Sequence, residues 1–187
     1  MRVTDDRYAG ELAKFDLAIR MIGHEARTGT IRACTGFTED RIRKIYSTYF
    51  KLRPGITVRR KRGKSPTQIT GFVSSSRRQS EATLIACLLL YTGAIDLAAR
   101  GPVKSVGVSS VSLGQRVCDA FEVYRALQPE PLFSFERVWG LYRALAVAQE
   151  LYFARCGICE GPYVQDAYAL DYQRCPFCEL KDRPAQV

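Results

Sequence analysis

The fold class that the sequence predicts is mainly α: a helical domain with a small cysteine-bearing module at its C-terminal end. Three observations carry that expectation. Apolar residues recur at three- and four-residue spacing along successive stretches. Glycine and proline gather in short clusters between those stretches. The C-terminal end holds two Cys-x-x-Cys pairs, Cys156/Cys159 and Cys175/Cys178. A length of 187 residues with 47% apolar content suits one medium domain plus an appended unit, and the breaks divide it into residues 1–66, 67–153 and 154–187.

Tyr8, Leu12, Phe15, Ile19 and Ile22 share one stripe of an opening helix that starts near Asp5 or Asp6. His24 ends it as an ordinary polar residue, since no second histidine exists to join it at a metal. Thr28 to Ser47 then fits a helix-turn-helix template. Ile31 and Thr35 face the core from the first helix, Gly36 takes the turn, Phe37 plugs the junction, and Ile42 and Ile45 anchor the second helix. Thr38 is placed to cap that second helix, with Glu39 and Asp40 matching the positive end of its dipole.

Charge is unevenly distributed. Of 28 basic residues, twelve lie between Arg41 and Arg78, where no acidic residue occurs, whereas the remainder of the chain has more acidic than basic residues. A one-sign field of that density repels itself and is relieved by a polyanion. Arg53, Arg59, Arg60, Lys61, Arg62 and Lys64 lie in an arm from Lys51 to Pro66, marked as an exposed loop by its proline and glycine and suited to phosphate contacts. Arg41, Arg43, Lys44 and Ser47 on the second helix are the candidates to meet base edges of duplex DNA, with Thr38 at its start also a DNA-binding candidate. Two short helices around a glycine occur in many α proteins; the adjoining arm is what gives this pair its DNA-binding expectation.

After a serine-rich joint at Ser74-Ser75-Ser76, residues 81–91 are apolar nearly all round, which describes a buried helix ending near Gly93. A second break runs from Gly101-Pro102 to Gly107 and leads into a helix with Val117, Phe121, Tyr124 and Leu127, ended by Pro129 and Pro131. Ser134 caps a helix through Val138, Leu141, Leu145 and Ala148 to about Phe153, which delivers the chain directly into Cys156. Between the cysteine pairs, Tyr163, Val164, Tyr168, Leu170 and Tyr172 alternate as short strands do, with their aromatics over the cysteine site.

Two Cys-x-x-Cys turns at this separation present four sulfurs to one ion, and an all-thiolate shell suits zinc first and iron second. No coordination position stays open, so the expected role is structural: one zinc-ribbon-like site per chain made by Cys156, Cys159, Cys175 and Cys178. A zinc deaminase is excluded, because His24 is followed directly by Glu25 and the H-x-E element is missing. The chain also lacks H-E-x-x-H, a nucleophile elbow and a phosphate-cradling glycine loop, so no enzyme is expected. No run is long and apolar enough for a bilayer, and the first residues do not resemble a signal peptide. With an odd cysteine count these features set the expectation of a cytoplasmic protein in which Cys34, Cys87 and Cys118 are buried thiols.

The order of features resembles the C subunit of the flagellar master transcriptional regulator, the FlhC family. The matching residues are Leu17-Ala18 leading to Ile22, Ala26-Arg27, Arg41-Ile42-Arg43-Lys44-Ile45-Tyr46, and Trp139 ahead of the cysteines. The resemblance covers most of the chain and is weakest from Pro54 to Arg78, which is more basic than the family pattern. It implies a cytoplasmic bacterial activator that joins the D subunit (FlhD) in a hetero-oligomer, binds promoter DNA upstream of flagellar operons, helps recruit RNA polymerase, and holds zinc on four cysteines. Only nine residues follow Cys178, without a long basic tail. A reading from another class is a zinc-ribbon adaptor whose basic segment touches RNA or an acidic protein; it would show no preference among duplex sequences.

Overall fold

A computed structural model of the chain describes residues 3–51, 58–61, 63, 68–98, 101–147, 149–169 and 174–182. The elements in order are α1 (Val3–Gly23), α2 (Thr28–Thr35), α3 (Glu39–Tyr46), a π-helical turn at Ser47–Lys51, α4 (Thr70–Val73), α5 (Ser76–Tyr91), β1 (Ile95–Ala98), β2 (Gly101–Lys104), α6 (Ser110–Leu127), α7 (Phe135–Ala146), β3 (Leu151–Arg155), β4 (Pro162–Asp166) and α8 (Pro176–Lys181). The protein is mainly helical, with its four cysteines gathered at the C-terminal end.

α6 lies at the centre and packs against α1, α2, α5 and α7. Its Gly114 is there for close approach: a Cβ at that position would stand 2.7 Å from Leu17 Cδ2 and 3.0 Å from Cys34 Cβ. On α1, burial begins only at Leu17 and continues through Ala18, Met21 and Ile22. The expected stripe is corrected at its N-terminal end, where Tyr8 is 76% and Leu12 61% exposed. The fully buried face of α1 is turned from that stripe, whose Phe15 and Ile19 are half-buried.

The α2–α3 pair forms as its residues require. Ile31, Thr35, Phe37, Ile42 and Ile45 are buried. Gly36 has φ of 72°, the left-handed value that lets its N–H return to the Arg32 carbonyl and end α2. Thr38 Oγ1 accepts the Arg41 N–H at 3.3 Å and caps α3.

Helix α5 is buried as expected but is anchored by a carboxylate. Glu81, 4% exposed, accepts the Tyr124 hydroxyl and, at 3.0 Å, the Leu132 N–H, while Phe133 N–H donates to the Tyr124 oxygen at 3.1 Å. That network ties the proline-rich α6–α7 loop to the core and satisfies a buried charge.

Two expectations are corrected here. The break at Gly101-Pro102 is an antiparallel hairpin, with Ile95 opposite Lys104 and Ala98 opposite Gly101. Both members of a two-stranded ribbon are edge strands, so Pro102 is tolerated. Helix α7 stops at Ala146 instead of reaching Phe153. Gln149 takes φ of 55°, and Tyr152 and Phe153, both good strand formers, join β3, which pairs with β4 from Leu151–Asp166 to Arg155–Pro162. A strand, not a helix, therefore leads to Cys156.

The cysteine-bearing end leans on α5. Gln79 Nε2 donates to the Val164 carbonyl at 2.8 Å, Val164 N–H donates to Thr83 Oγ1 at 3.0 Å, and Ser76 Oγ donates to Glu179 at 2.7 Å. Among the described residues no helix is long and apolar enough to cross a membrane.

Candidate functional site

The first knuckle begins where β3 ends. Cys156 N–H donates to the Gly161 carbonyl and Glu160 N–H to the Cys156 carbonyl, both at 3.0 Å, which folds Gly157-Ile158 into a tight loop. Glu160 closes it with φ of 57°. Cys156 Sγ accepts N–H groups from Ile158 at 3.4 Å and Cys175 at 3.3 Å. In the second knuckle Cys175 caps α8, its sulfur accepting the Cys178 N–H at 3.4 Å, with Pro176 fixing the first turn.

All four sulfurs lie within 4.8 Å of one another; Cys156 and Cys178 are 4.0 Å apart and Cys159 and Cys175 3.6 Å. A tetrahedral ion with metal–sulfur bonds of about 2.3 Å sets sulfur–sulfur edges near ~3.8 Å, so these separations fit one ion. They are far beyond a disulfide's ~2.05 Å, and all four are free cysteines. N–H donors at the sulfurs favour thiolate. The Cys156 thiol is pulled down to about 6, chiefly by the backbone N–H of Cys159, while sharing protons with Cys175 and Cys159 pushes Cys178 up to about 12 and burial raises Cys175. A divalent cation would displace those shared protons. The cluster can hold one metal ion and leaves it no vacant position, so its chemistry is to fasten β3, β4 and α8 together.

Tyr163, fully buried, packs with Cys156 and Cys175. Tyr168 departs from its expected place over the cysteines and is 82% exposed; Leu170 and Tyr172 lie outside the described residues. Elsewhere, burial pushes the Cys34 and Cys118 thiols up to about 12 and raises Cys87 as well, which favours the protonated thiol; Cys87 is half-buried, not buried as expected.

The second constellation is basic. On α3, Ile42 and Ile45 point inward, and Asp40, Arg43, Lys44 and Ser47 share the opposite, exposed or half-exposed face. Arg43 pairs with Asp40 at 2.8 Å, and Ser47 Oγ donates to the Arg43 carbonyl at 3.0 Å. Arg41 leans to the side, its guanidinium 3.8 Å from the centre of the Phe37 ring and 3.0 Å from Glu11 on α1. Thr38 is occupied as the cap.

Of the arm, Arg59, Arg60 and Lys61 are described, and Arg53, Arg62 and Lys64 lie outside the described residues. The described part is strapped to the helices: Tyr46 hydroxyl donates to the Val58 carbonyl at 3.0 Å, Arg60 Nη2 to Thr28 Oγ1 at 3.4 Å, and Arg59 N–H to Glu25 at 3.3 Å, with Lys61 2.8 Å from the same carboxylate. Between this strap and α3 runs an open groove of about 690 Å³ lined by Arg43, Tyr46, Ser47, Lys51, Val58, Arg59 and Arg60, with no carboxylate among the described residues of its lining.

The acids that hold the cations, Glu11, Glu25 and Asp40, were not legible from the run of basic residues, since all three lie outside it. The signals were Asp40 three residues before Arg43 on one helix, and Glu25 immediately after a helix end at Gly23-His24. No protein-family model matches the chain, and no curated protein matches it at a significant level.

Proposed function

We propose that this protein is the DNA-binding subunit of a cytoplasmic transcription activator of flagellar genes, working in a hetero-oligomer with a D-type (FlhD-like) subunit and in contact with RNA polymerase. In this reading α2, Gly36 and α3 are a helix-turn-helix, and the face bearing Arg43, Lys44 and Ser47 meets base edges in the major groove. Arg59, Arg60 and Lys61, with Arg53, Arg62 and Lys64, meet phosphates. The ion on Cys156, Cys159, Cys175 and Cys178 is zinc, held for structure.

The observation that carries the reading is the groove of about 690 Å³ with Arg43 and Lys51 on one side, Arg59 and Arg60 on the other and no acid among the described residues of its lining, alongside the outward face of α3. Cations from two elements converging on one open channel fit a phosphodiester strand. The geometry of the capped α3 on a glycine turn supports its role as the inserted helix.

The test is co-expression with a D-type subunit, metal analysis of the colourless complex, and footprinting on a flagellar promoter fragment against a scrambled duplex. Protection of one defined site is the expected result. Equal affinity for both duplexes, or for RNA, would replace this reading with that of an adaptor.

A further inference from the structure

Glu25 stands at the C-terminal corner of α1 in a backbone conformation that side chains disfavour. Its φ is 57°, its N–H donates to the Ile22 carbonyl at 2.9 Å, and the next N–H, of Ala26, reaches back to Met21 at 3.0 Å. That pair of bonds is the Schellman ending, whose left-handed position is normally glycine. A glutamate there carries a local conformational cost. Its carboxylate spans both ends of the described strap: Oε1 accepts the Arg59 N–H at 3.3 Å, and Oε2 meets Lys61 Nζ at 2.8 Å. Both contacts hold its carboxyl below the usual carboxylate range.

We propose that Glu25 is a positioning residue for polyanion binding: it fixes the strap so that Arg59 and Arg60 stand across the groove from Arg43 and Lys51 and the two rows close on one phosphodiester strand. Glu25 is absent from the groove lining, so it acts through the strap and not on the nucleic acid. This inference rests on the DNA-binding reading for its ligand, while the clamp itself is a property of the free protein.

Two opposed effects make it testable. Removing a carboxylate beside a polyanion site strengthens binding by charge alone. Removing a clamp weakens it. Glu25→Gln deletes the charge at nearly constant shape, and Glu25→Gly relieves the left-handed backbone as well, so neither is expected to unfold the protein.

The experiment measures two things on the full, metal-loaded chain: hydrogen exchange of residues 58–61 without DNA, and affinity for a 30-base-pair duplex across a salt series. Glu25→Gly, which removes the acceptor, should lose exchange protection at the Arg59 amide and bind duplex about fivefold more weakly, while Glu25→Gln, which loses the Lys61 ion pair but keeps an oxygen for the Arg59 N–H, falls between it and wild type. Unchanged exchange at Arg59 in Glu25→Gly, or tighter duplex binding by either variant, would overturn the proposal. If wild-type protein bound no duplex, the DNA-binding reading would fall and with it the ligand proposed here, whereas the exchange result would still decide the clamp.

Discussion

Glu136 of α7 caps α2 from 109 residues away: its Oε1 accepts the Arg27 backbone N–H at 2.6 Å, and its Oε2 accepts the Thr30 hydroxyl at 3.1 Å. Arg27 stands at the N-cap of α2 without a side-chain capping bond of its own, and no acidic residue lies in the first turn. The carboxylate, 3% exposed, thus supplies the negative charge that this helix end lacks locally. Glu136→Gln should cost about 1–3 kcal/mol, read as a shift in the urea unfolding midpoint. Exchange protection in α3, which hangs from α2, should fall with it. An unshifted midpoint would show that the cap adds nothing.

Gly114 gives a second test with an inverted sign. In an exposed helix Gly→Ala gains about 1 kcal/mol. Here the new methyl would lie 2.7 Å from Leu17 Cδ2 and 3.0 Å from Cys34 Cβ. Gly114→Ala should therefore destabilise by about 1–3 kcal/mol in chemical denaturation, as overpacking does. A more stable variant would mean that α6 is not seated against α1 and α2 as described.

His24 governs the mild-acid range. Its ring lies 5.1 Å from that of Phe121 and 5.7 Å from that of Phe135, and Nε2 is 2.7 Å from Glu122. Burial lowers its pKa below 6.5, outweighing the pull of Glu122 in the other direction. The folded state then binds this proton less readily than the unfolded state. Its contribution is complete above about pH 6.5 and is lost as pH falls through the lower folded value. Glu11, Glu25 and Glu122 are held below the usual 4.5, so their losses come in stronger acid. With one histidine in the chain, His24→Gln should flatten the decline in stability between pH 7.5 and 6. A wild-type curve that rises as pH falls over that window would contradict the assignment.

Metal removal should act locally and then spread to one helix. β3, β4 and α8 are joined through the four sulfurs, and Gln79, Thr83 and Ser76 tie them to α5. A chelator, or Cys175→Ser, should abolish one equivalent of bound metal and lower exchange protection in β3–β4, α8 and the first turns of α5. Protection in α1 to α3 should hold. Uniform loss over the whole chain would show that the core depends on the ion.

The parts of this fold legible in the sequence are those with local causes. Gly36, Phe37, Thr38, Ile42 and Ile45 each satisfy a demand made within a few residues, and all take the places their chemistry asks for. The cysteine pairs carry their geometry in their spacing. What stayed hidden depends on distant partners. Tyr8 and Leu12 have helical spacing but are exposed, and nothing in the stripe encodes which face of α1 its partners cover. Leu151, Tyr152 and Phe153 resume an apolar pattern after Gln149-Glu150, yet the strand is decided by pairing with β4. Glu81 and Glu136 look like surface charges until Tyr124 and Arg27 arrive from elsewhere.

The salt dependence of duplex binding by the metal-loaded chain with its D-type partner, compared with a variant carrying Arg59→Ala, Arg60→Ala and Lys61→Ala, asks most directly whether the basic groove holds nucleic acid. If it does, log affinity falls steeply with log salt, and the triple variant flattens the slope by about 0.9 for each lost phosphate contact while weakening all sequences alike. No binding at low ionic strength, or a slope that the triple variant leaves unchanged, would contradict it.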